Sequence, residues 1–316
     1  MKVLVAGGAG FIGSHLCQAL FEKGDEVICV DNLITGRKEN IKEFINNPRF
    51  EFVSQDVIKE GNKVTMKQGN NVNFIYHLAS PASPKKYQKY PIETLLANSV
   101  GTYHLLNLAK KTGAKFLFAS SSEVYGEPKE HPQMEGYWGN VNPIGPRSCY
   151  DEGKRFGEAM VMAFIRKYGV DARIVRIFNT YGPKMEKNDG RVISNFVNQA
   201  LSGKLMTVYG QGNQTRSFCY VTDIVKGLIK AMESENTKGQ VFNLGNPDER
   251  SVLEIARLIK KMTKSWSKIV FTDLPEDDPS RRKPDIEKAK RILGWTPKVK
   301  LEQGLKETIR YLQSLL

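Results

Sequence analysis

Short apolar runs without strict polar alternation recur through the first half of the chain: KVLVA (2 to 6), EVICV (26 to 30), FEFVS (50 to 54), NFIYHLA (73 to 79) and KFLFAS (115 to 120). Runs of this length, apolar on both faces, predict strands buried on two sides, as in a parallel sheet. Between several of them the spacing changes to that of helices, in SHLCQALFEKG, which stops at Gly24, and in ETLLANSVGTYHLLNLAKKTG, which stops at Gly113. Strand and helix in alternation predict an α/β fold, a doubly wound parallel sheet. DARIVRIF (171 to 178) adds a sixth strand, and beyond about residue 180 loops, short strands and helices mix. The expected division is a nucleotide-binding domain over 1–180, to which a segment at about 215–245 returns, and a smaller, mainly substrate-binding region over 181–316.

Composition narrows the class. With 316 residues, 40% hydrophobic and 26% charged, the chain has the make-up of a soluble globular protein rather than a disordered one. The start, MKVLVAGGAGFIGSHL, has one lysine and an apolar run broken by glycines, so it lacks the long hydrophobic region of a signal peptide. No apolar run reaches the roughly 18 residues of a membrane span. The four cysteines, Cys17, Cys29, Cys149 and Cys219, show no C-x-x-C spacing, which argues against a zinc site and a disulfide framework. No metal and no membrane association are expected, and a reducing cytoplasm fits. The net charge of +13 raises nucleic acid as a partner. The basic residues are spread along the chain without an interleaved aromatic stripe, so a solvated basic surface is the expectation, one that also attracts a small polyanion.

Two local patterns carry chemistry. Gly7-Gly8-Ala9-Gly10-Phe11-Ile12-Gly13 follows the first strand and opens the first helix, where backbone N–H groups and a helix N-terminus hold a pyrophosphate. Asp31 ends the second strand, 21 residues after Gly10, where a carboxylate accepts a bond from a ribose 2′-hydroxyl and repels a 2′-phosphate. NAD is therefore expected over NADP, with Arg37 nearby as the counter-argument. In PRSCYDEGKR (146 to 155), a proline marks a helix start and Tyr150 and Lys154 fall on one face. An ammonium near a phenol lowers the phenol's pKa, which makes the pair a proton-transfer device unless the helix is simply solvated. Gly153, between them, costs about 1 kcal/mol relative to alanine, which a close approach of cofactor or substrate would explain.

GGAGFIG, Asp31, HLAS (77 to 80), SSSEVYG (120 to 126) and Tyr150-x-x-x-Lys154 together resemble the extended short-chain dehydrogenase/reductases, Rossmann-fold enzymes that act on nucleotide sugars. The match keeps its order over nearly the whole chain. Longer stretches, SSSEVYGEPKEHPQ, YWGNVNPIGPRSCYDEGKR, RIFNTYGP, NDGRVISNF, YGQGNQTRSFCYV, NLGNP and RRKPDI, are most similar to the UDP-glucuronate decarboxylases within that family. The resemblance implies UDP-glucuronate and related UDP-sugars as ligands, UDP-xylose and carbon dioxide as products, and a tightly held NAD reduced and reoxidised in each turnover.

The same resemblance implies roles for single residues. Tyr150 is the base for the sugar 4-hydroxyl, Lys154 its helper, and Ser121 a hydrogen-bond partner of the reacting oxygen. Glu123 manages the proton delivered to C5 or helps expel carbon dioxide, and Arg282 reaches the active site, whereas Arg281 stays at the surface. The cofactor is expected on Gly7, Gly10, Phe11, Ile12, Gly13, Asp31, Asn32, Asp56, Val57, Leu78, Ala79, Ser80 and Thr180, with Tyr150 and Lys154. The nucleotide sugar is expected on Tyr87, Asn179, Arg191, Asn195, Tyr209, Gln214 and Arg216, with Ser121, Glu123 and Arg282. Relatives pair through two helices per subunit, and the 93–112 and 149–168 segments are apolar around much of their circumference, which implies a homodimer. The alternatives are a nucleotide-sugar 4-epimerase or 4,6-dehydratase, which shares the oxidation but releases no carbon dioxide, and a noncatalytic NAD-binding regulator. The last has no use for Ser121, Tyr150 and Lys154 together.

Overall fold

A computed structural model of the chain describes residues 1–59 and 72–316. Strands form at the six apolar runs: β1 (Lys2–Ala6), β2 (Glu26–Asp31), β3 (Phe50–Ser54), β4 (Phe74–His77), β5 (Lys115–Ser121) and β6 (Ala172–Ile177). A seventh strand, Val241–Leu244, completes a parallel sheet of order Val241–Leu244, β6, β5, β4, β1, β2, β3. β1 lies between β2 and β4, so the direction of winding reverses there, and such sheets take ligands at that switch point, outside the carboxyl ends of the strands. β4 stops at His77 because Leu78 and Ala79 then cross the end of β1. Gly7, at φ +80°, makes room for them: a Cβ there would lie 2.7 Å from the Ala79 nitrogen.

The helices are α1 (Phe11–Glu22), α2 (Pro84–Lys89), α3 (Pro91–Leu96), α4 (Thr102–Thr112), α5 (Ser148–Tyr168), α6 (Val192–Leu201), α7 (Val221–Glu233), α8 (Val252–Met262), α9 (Glu287–Leu293) and α10 (Leu301–Gln313). The single helix expected over 93–112 is α3 and α4 joined by a π-helical turn, Ala97–Gly101. Turns of this kind re-aim side chains and recur at functional sites. Both α4 and α5 end on glycines in the left-handed region, Gly113 at φ 72° and Gly169 at φ 69°, the conformation in which glycine has no Cβ penalty.

One face of the sheet packs on α1, α7 and α9 around Val5, Leu16, Leu228 and Trp295. The other packs on α4 and α5 around Ile75, Leu105, Phe118 and Val161. A separate core joins α6, α8 and α10 around Phe196, Ile255 and Leu305. Residues 221–244 thus come back to the main sheet, and so does the segment ending at Trp295, whose indole Nε1 donates to the Asp223 carbonyl at 2.8 Å. Two small sheets carry the remaining walls of the site: Met206–Tyr209 beside Ile269–Thr272, and Thr215–Ser217 between Glu249–Ser251 and Arg281–Arg282. Among the described residues no helix is long and apolar enough to cross a membrane. All four cysteines are free and buried.

Candidate active site

A cleft of about 720 Å³ opens across the carboxyl ends of the strands, and every residue expected at the cofactor lines it. Gly10 precedes the first residue of α1 and offers no side-chain cap, so the N–H groups of the first turn are free to meet an anion. A Cβ on Gly13 would lie 2.0 Å from the Gly7 carbonyl oxygen, which shows how tightly the loop folds under that helix end. Asp31 accepts from the Ala9 amide at 3.0 Å and the Leu33 amide at 2.8 Å. Burial raises its pKa and these two amides oppose the rise. Asn32 donates to Asp56 at 2.8 Å beside it. Arg37 is turned toward Asn40 and the Lys184 carbonyl, at 3.5 and 3.4 Å, so its guanidinium is engaged by the protein. This loop and its oriented carboxylate fit a dinucleotide with a free 2′-hydroxyl.

The middle of the cleft holds the serine, tyrosine and lysine. β5 ends on Ser121, whose Oγ accepts from the Glu123 amide at 3.2 Å as the chain enters a 3₁₀ turn, Ser122–Tyr125. Tyr150 and Lys154 lie on the first two turns of α5, both buried. Ser121 acts on the Tyr150 hydroxyl and favours its ionised form, and the Tyr150 ring stacks on Tyr87 with centroids 5.0 Å apart and planes 10° apart. Lys154 donates to the Ala119 carbonyl at 2.8 Å and stands 5.7 Å from the Tyr150 ring centroid.

The electrostatics here depart from the expected activated pair. Burial pushes the Tyr150 phenol up to about 12, with Ser121 and Arg191 opposing and Glu123 and Asp151 adding to the rise. Burial also brings Lys154 down to about 7, against the pull of Glu158. The protein's own groups therefore leave Tyr150 protonated: desolvation outweighs Ser121 and Arg191, and Lys154 is directed at a backbone carbonyl. Gly153 also differs from expectation. A Cβ there would reach only ordinary contact, 3.5 Å, with Asn98 of the π turn, and Gly153 does not line the cleft. The glycine that α5 requires is Gly157, where a Cβ would fall 2.3 Å from Phe118.

Beyond the tyrosine lies a charged network. Glu123 accepts from Arg147 at 2.6 Å and from Arg282 at 3.4 Å. Burial works to raise its pKa, but Arg147, Arg282 and Arg216 outweigh burial and hold it at about 2. Arg282 does not reach the cleft as expected. It is 1% exposed, donates to the Ser122 carbonyl at 2.6 Å, and sits behind Glu123, where its strand pairs with Thr215–Ser217. Arg147, to which no sequence motif assigns a role, does line the cleft. It donates to one oxygen of Asp278 at 3.2 Å, and Arg216 donates to the other at 2.9 Å. A signal for Arg147 existed: it lies one turn before Tyr150, and its carbonyl accepts the Tyr150 amide at 3.0 Å. Asp278 gave none.

Asn179, Thr180, Arg191, Asn195, Tyr209 and Gln214 complete the lining. Arg191 pairs with Asp189 and lies 5.6 Å over the Phe11 ring, and Gln214 donates to the Tyr209 carbonyl at 2.9 Å. Arg281 is exposed. Among the described residues no group of three or more His, Cys, Asp or Glu side chains is placed to hold a metal ion. The arrangement can transfer a proton in its middle and receive anions at its far end.

The strand order and the place of the cleft put the protein in the class of extended short-chain dehydrogenase/reductases, in keeping with the resemblance in its sequence. The chain belongs to the GDP-mannose 4,6 dehydratase family, whose model matches residues 4–308. It is 53% identical over 315 residues to UDP-glucuronic acid decarboxylase 1 of Xenopus tropicalis, a match covering 100% of this chain and 73% of that protein. It is 54% identical to UDP-glucuronic acid decarboxylase 4 of Arabidopsis thaliana, over 96% of this chain and 67% of the other. Among solved structures it is similar to UDP-glucuronic acid 4-epimerase from Bacillus cereus in complex with UDP-glucuronic acid and NAD, with a TM-score of 0.90, 30% identity and 100% of both chains covered.

Proposed function

We propose that the protein converts UDP-glucuronate to UDP-xylose and carbon dioxide through a 4-keto sugar, with NAD reduced and reoxidised within each turnover. The observation that carries this reading is Glu123, ionised between Arg147 and Arg282, next to the Ser121 and Tyr150 pair. Identity supports it too: 53% to a decarboxylase against 30% to a 4-epimerase favours loss of carbon dioxide over 4-epimerisation or 4,6-dehydration.

The glycine loop and Asp31 would hold NAD, which would supply the hydride acceptor and donor and, through its positive charge, favour a nearby phenolate. Tyr150 takes the proton of the 4-hydroxyl, Ser121 hydrogen-bonds the same oxygen, and Lys154 adds its charge when protonated. The ketone so formed is beta to the carboxylate. Electrons of the C5–C6 bond can then move onto the ketone oxygen as carbon dioxide leaves, and the resulting enolate takes a proton at C5. At about 2, Glu123 is an anion at neutral pH. That favours expulsion of carbon dioxide by repulsion over proton donation, with Arg147 stabilising the moving charge and Arg282 positioning Glu123. Asn179, Arg191, Asn195, Tyr209, Gln214 and Arg216 hold the nucleotide sugar in this reading, and Tyr87 backs the Tyr150 ring.

Residues 1–180, to which a segment at about 215–245 returns, form the cofactor domain in this reading, and 181–316 mainly the sugar-binding region. Four free, buried thiols support a reducing, cytoplasmic location. A homodimer is supported by Leu95, Tyr103 and Phe156, which leave 38%, 49% and 50% of their surface exposed on the neighbouring helices α3, α4 and α5. A monomer in sedimentation at micromolar protein would refute the dimer. For the reaction, turnover in heavy water should place one deuterium at C5 of UDP-xylose as carbon dioxide is released. A product that keeps its carboxylate, epimerised at C4 and unlabelled, would overturn the reading.

A further inference from the structure

The segment 273–279 crosses the mouth of the cleft, which Pro275, Glu276, Asp278 and Pro279 line. It is acidic in a basic chain, with Asp273, Glu276, Asp277 and Asp278 in six positions of a protein of net charge +13. Residues 273–277 are exposed. At its far end Ser280 donates to Glu127 at 2.8 Å. Over the cleft its side-chain anchors are Asp277, which accepts from Asn142 at 3.1 Å, and Asp278, which bridges Arg147 and Arg216. These two arginines are 8% and 6% exposed and both line the cleft. Their guanidinium groups share one carboxylate, which fixes them a few ångströms apart.

A uronic-acid nucleotide carries two anions, a sugar carboxylate and a diphosphate, joined through the sugar ring. We propose that Asp278 is an internal stand-in for them: it occupies Arg147 and Arg216 until the ligand's carboxylate takes the first and a phosphate takes the second, which frees the strap. The proposal rests on the reading that this cleft accepts UDP-glucuronate. It makes Asp278 a residue that sets affinity and selectivity without touching the reacting atoms. A ligand with both anions displaces Asp278 from both arginines. A ligand with the diphosphate alone displaces it from Arg216 only, and Asp278 stays on Arg147. Removing the carboxylate of Asp278 removes an internal competitor, so binding should tighten, and most for the ligand with both anions.

The test is titration calorimetry of UDP-glucuronate, UDP-glucose and UDP into the NAD-loaded protein, in a Tyr150→Phe background that holds turnover back. Asp278→Asn should tighten UDP-glucuronate on the order of fivefold, the worth of one partly exposed ion pair, with a smaller gain for UDP and UDP-glucose. Asp278→Glu, which keeps the charge, should stay within about twofold of the parent, as a further partly exposed ion pair of the same kind. Unchanged or weaker UDP-glucuronate binding by a folded Asp278→Asn protein overturns the proposal, because a carboxylate that merely braces the arginines would be missed on its removal. Asp278→Ser is the second neutral variant, and failure of both to fold or to retain NAD would make Asp278 structural and overturn the proposal equally. If the parent protein with Tyr150 intact binds UDP-glucuronate but releases no carbon dioxide, the functional reading fails alone, and the titrations still decide the role of Asp278.

Discussion

Two groups of ionisable side chains at one cleft, the second reaching behind its wall, take opposite states. Tyr150 and Lys154 are 6% and 3% exposed, and burial drives both toward their neutral forms, to about 12 and about 7. Glu123, its side chain 18% exposed, lies between Arg147 and Arg282, which are 8% and 1% exposed, and stays ionised down to about 2. Glu123 is the shallower of the charged centres, but Arg147 and Arg282 beside it are as deep as Tyr150 and Lys154. Pairing separates the two groups: the carboxylate has charged donors at 2.6 and 3.4 Å, whereas Lys154 has a neutral carbonyl at 2.8 Å. An unpaired buried group is cheap to neutralise, which suits side chains that pass a proton in each cycle. A paired one keeps its charge through the cycle, which suits a site where charge must leave the substrate.

The largest effect should come from the unpaired half. Tyr150→Phe keeps the ring that stacks on Tyr87 and removes only the hydroxyl, so the protein should fold and bind NAD while UDP-xylose forms about 10² to 10⁴ times more slowly. Near-normal turnover would show that the phenol is not the base. In the paired half, Glu123→Gln should leave NAD binding intact and slow carbon dioxide release by at least about tenfold, followed apart from NADH absorbance in a single turnover. The same variant tests the charge itself. Folded Glu123 keeps its charge to about pH 2, while the unfolded chain takes the proton near 4.5. Its contribution to stability is therefore whole above pH 4.5 and is lost as pH falls toward 2. Unfolding free energy should depend less on pH across that window in Glu123→Gln than in wild type. An unaltered slope would mean that the arginines do not hold the carboxylate.

The same contrast governs what the sequence makes visible. The six apolar runs, the glycine loop with Asp31, and the Tyr150 to Lys154 spacing are local patterns, and each is legible because a strand, a turn or one face of a helix imposes it within a few residues. Ser121 and Glu123 are legible through likeness to relatives, since a serine and a glutamate after a strand have no pattern of their own. The paired half depends on distant contacts. Arg147 meets Asp278 across 131 positions and Arg282 meets Glu123 across 159. Nothing near Asp278 distinguishes it from the acids beside it, and nothing near Arg282 tells that its strand turns it behind Glu123. The direction of the Tyr150 shift was also hidden, because spacing gives the neighbour but not the depth.

The smallest expected effect is the one that bears most directly on the unpaired half. Folded Lys154 gives up its proton near pH 7, whereas the unfolded chain holds it to about 10.5. Between these values the folded protein binds fewer protons than the unfolded one, so unfolding free energy rises with pH. The rise can reach at most about 1.4 kcal/mol per pH unit for a single proton. Lys154→Met removes the group and should remove that part of the slope. Urea unfolding of both proteins at pH 8 and pH 9 measures it, with wild type gaining stability between the two pH values and the methionine variant gaining less. Equal gains would mean that the ammonium keeps its charge when folded, as it would if Glu158, whose pull opposes the burial, compensated it in full. Lys154 would then belong with Glu123 and the arginines, and the division of the cleft into an unpaired and a paired half would fail at its best-defined member.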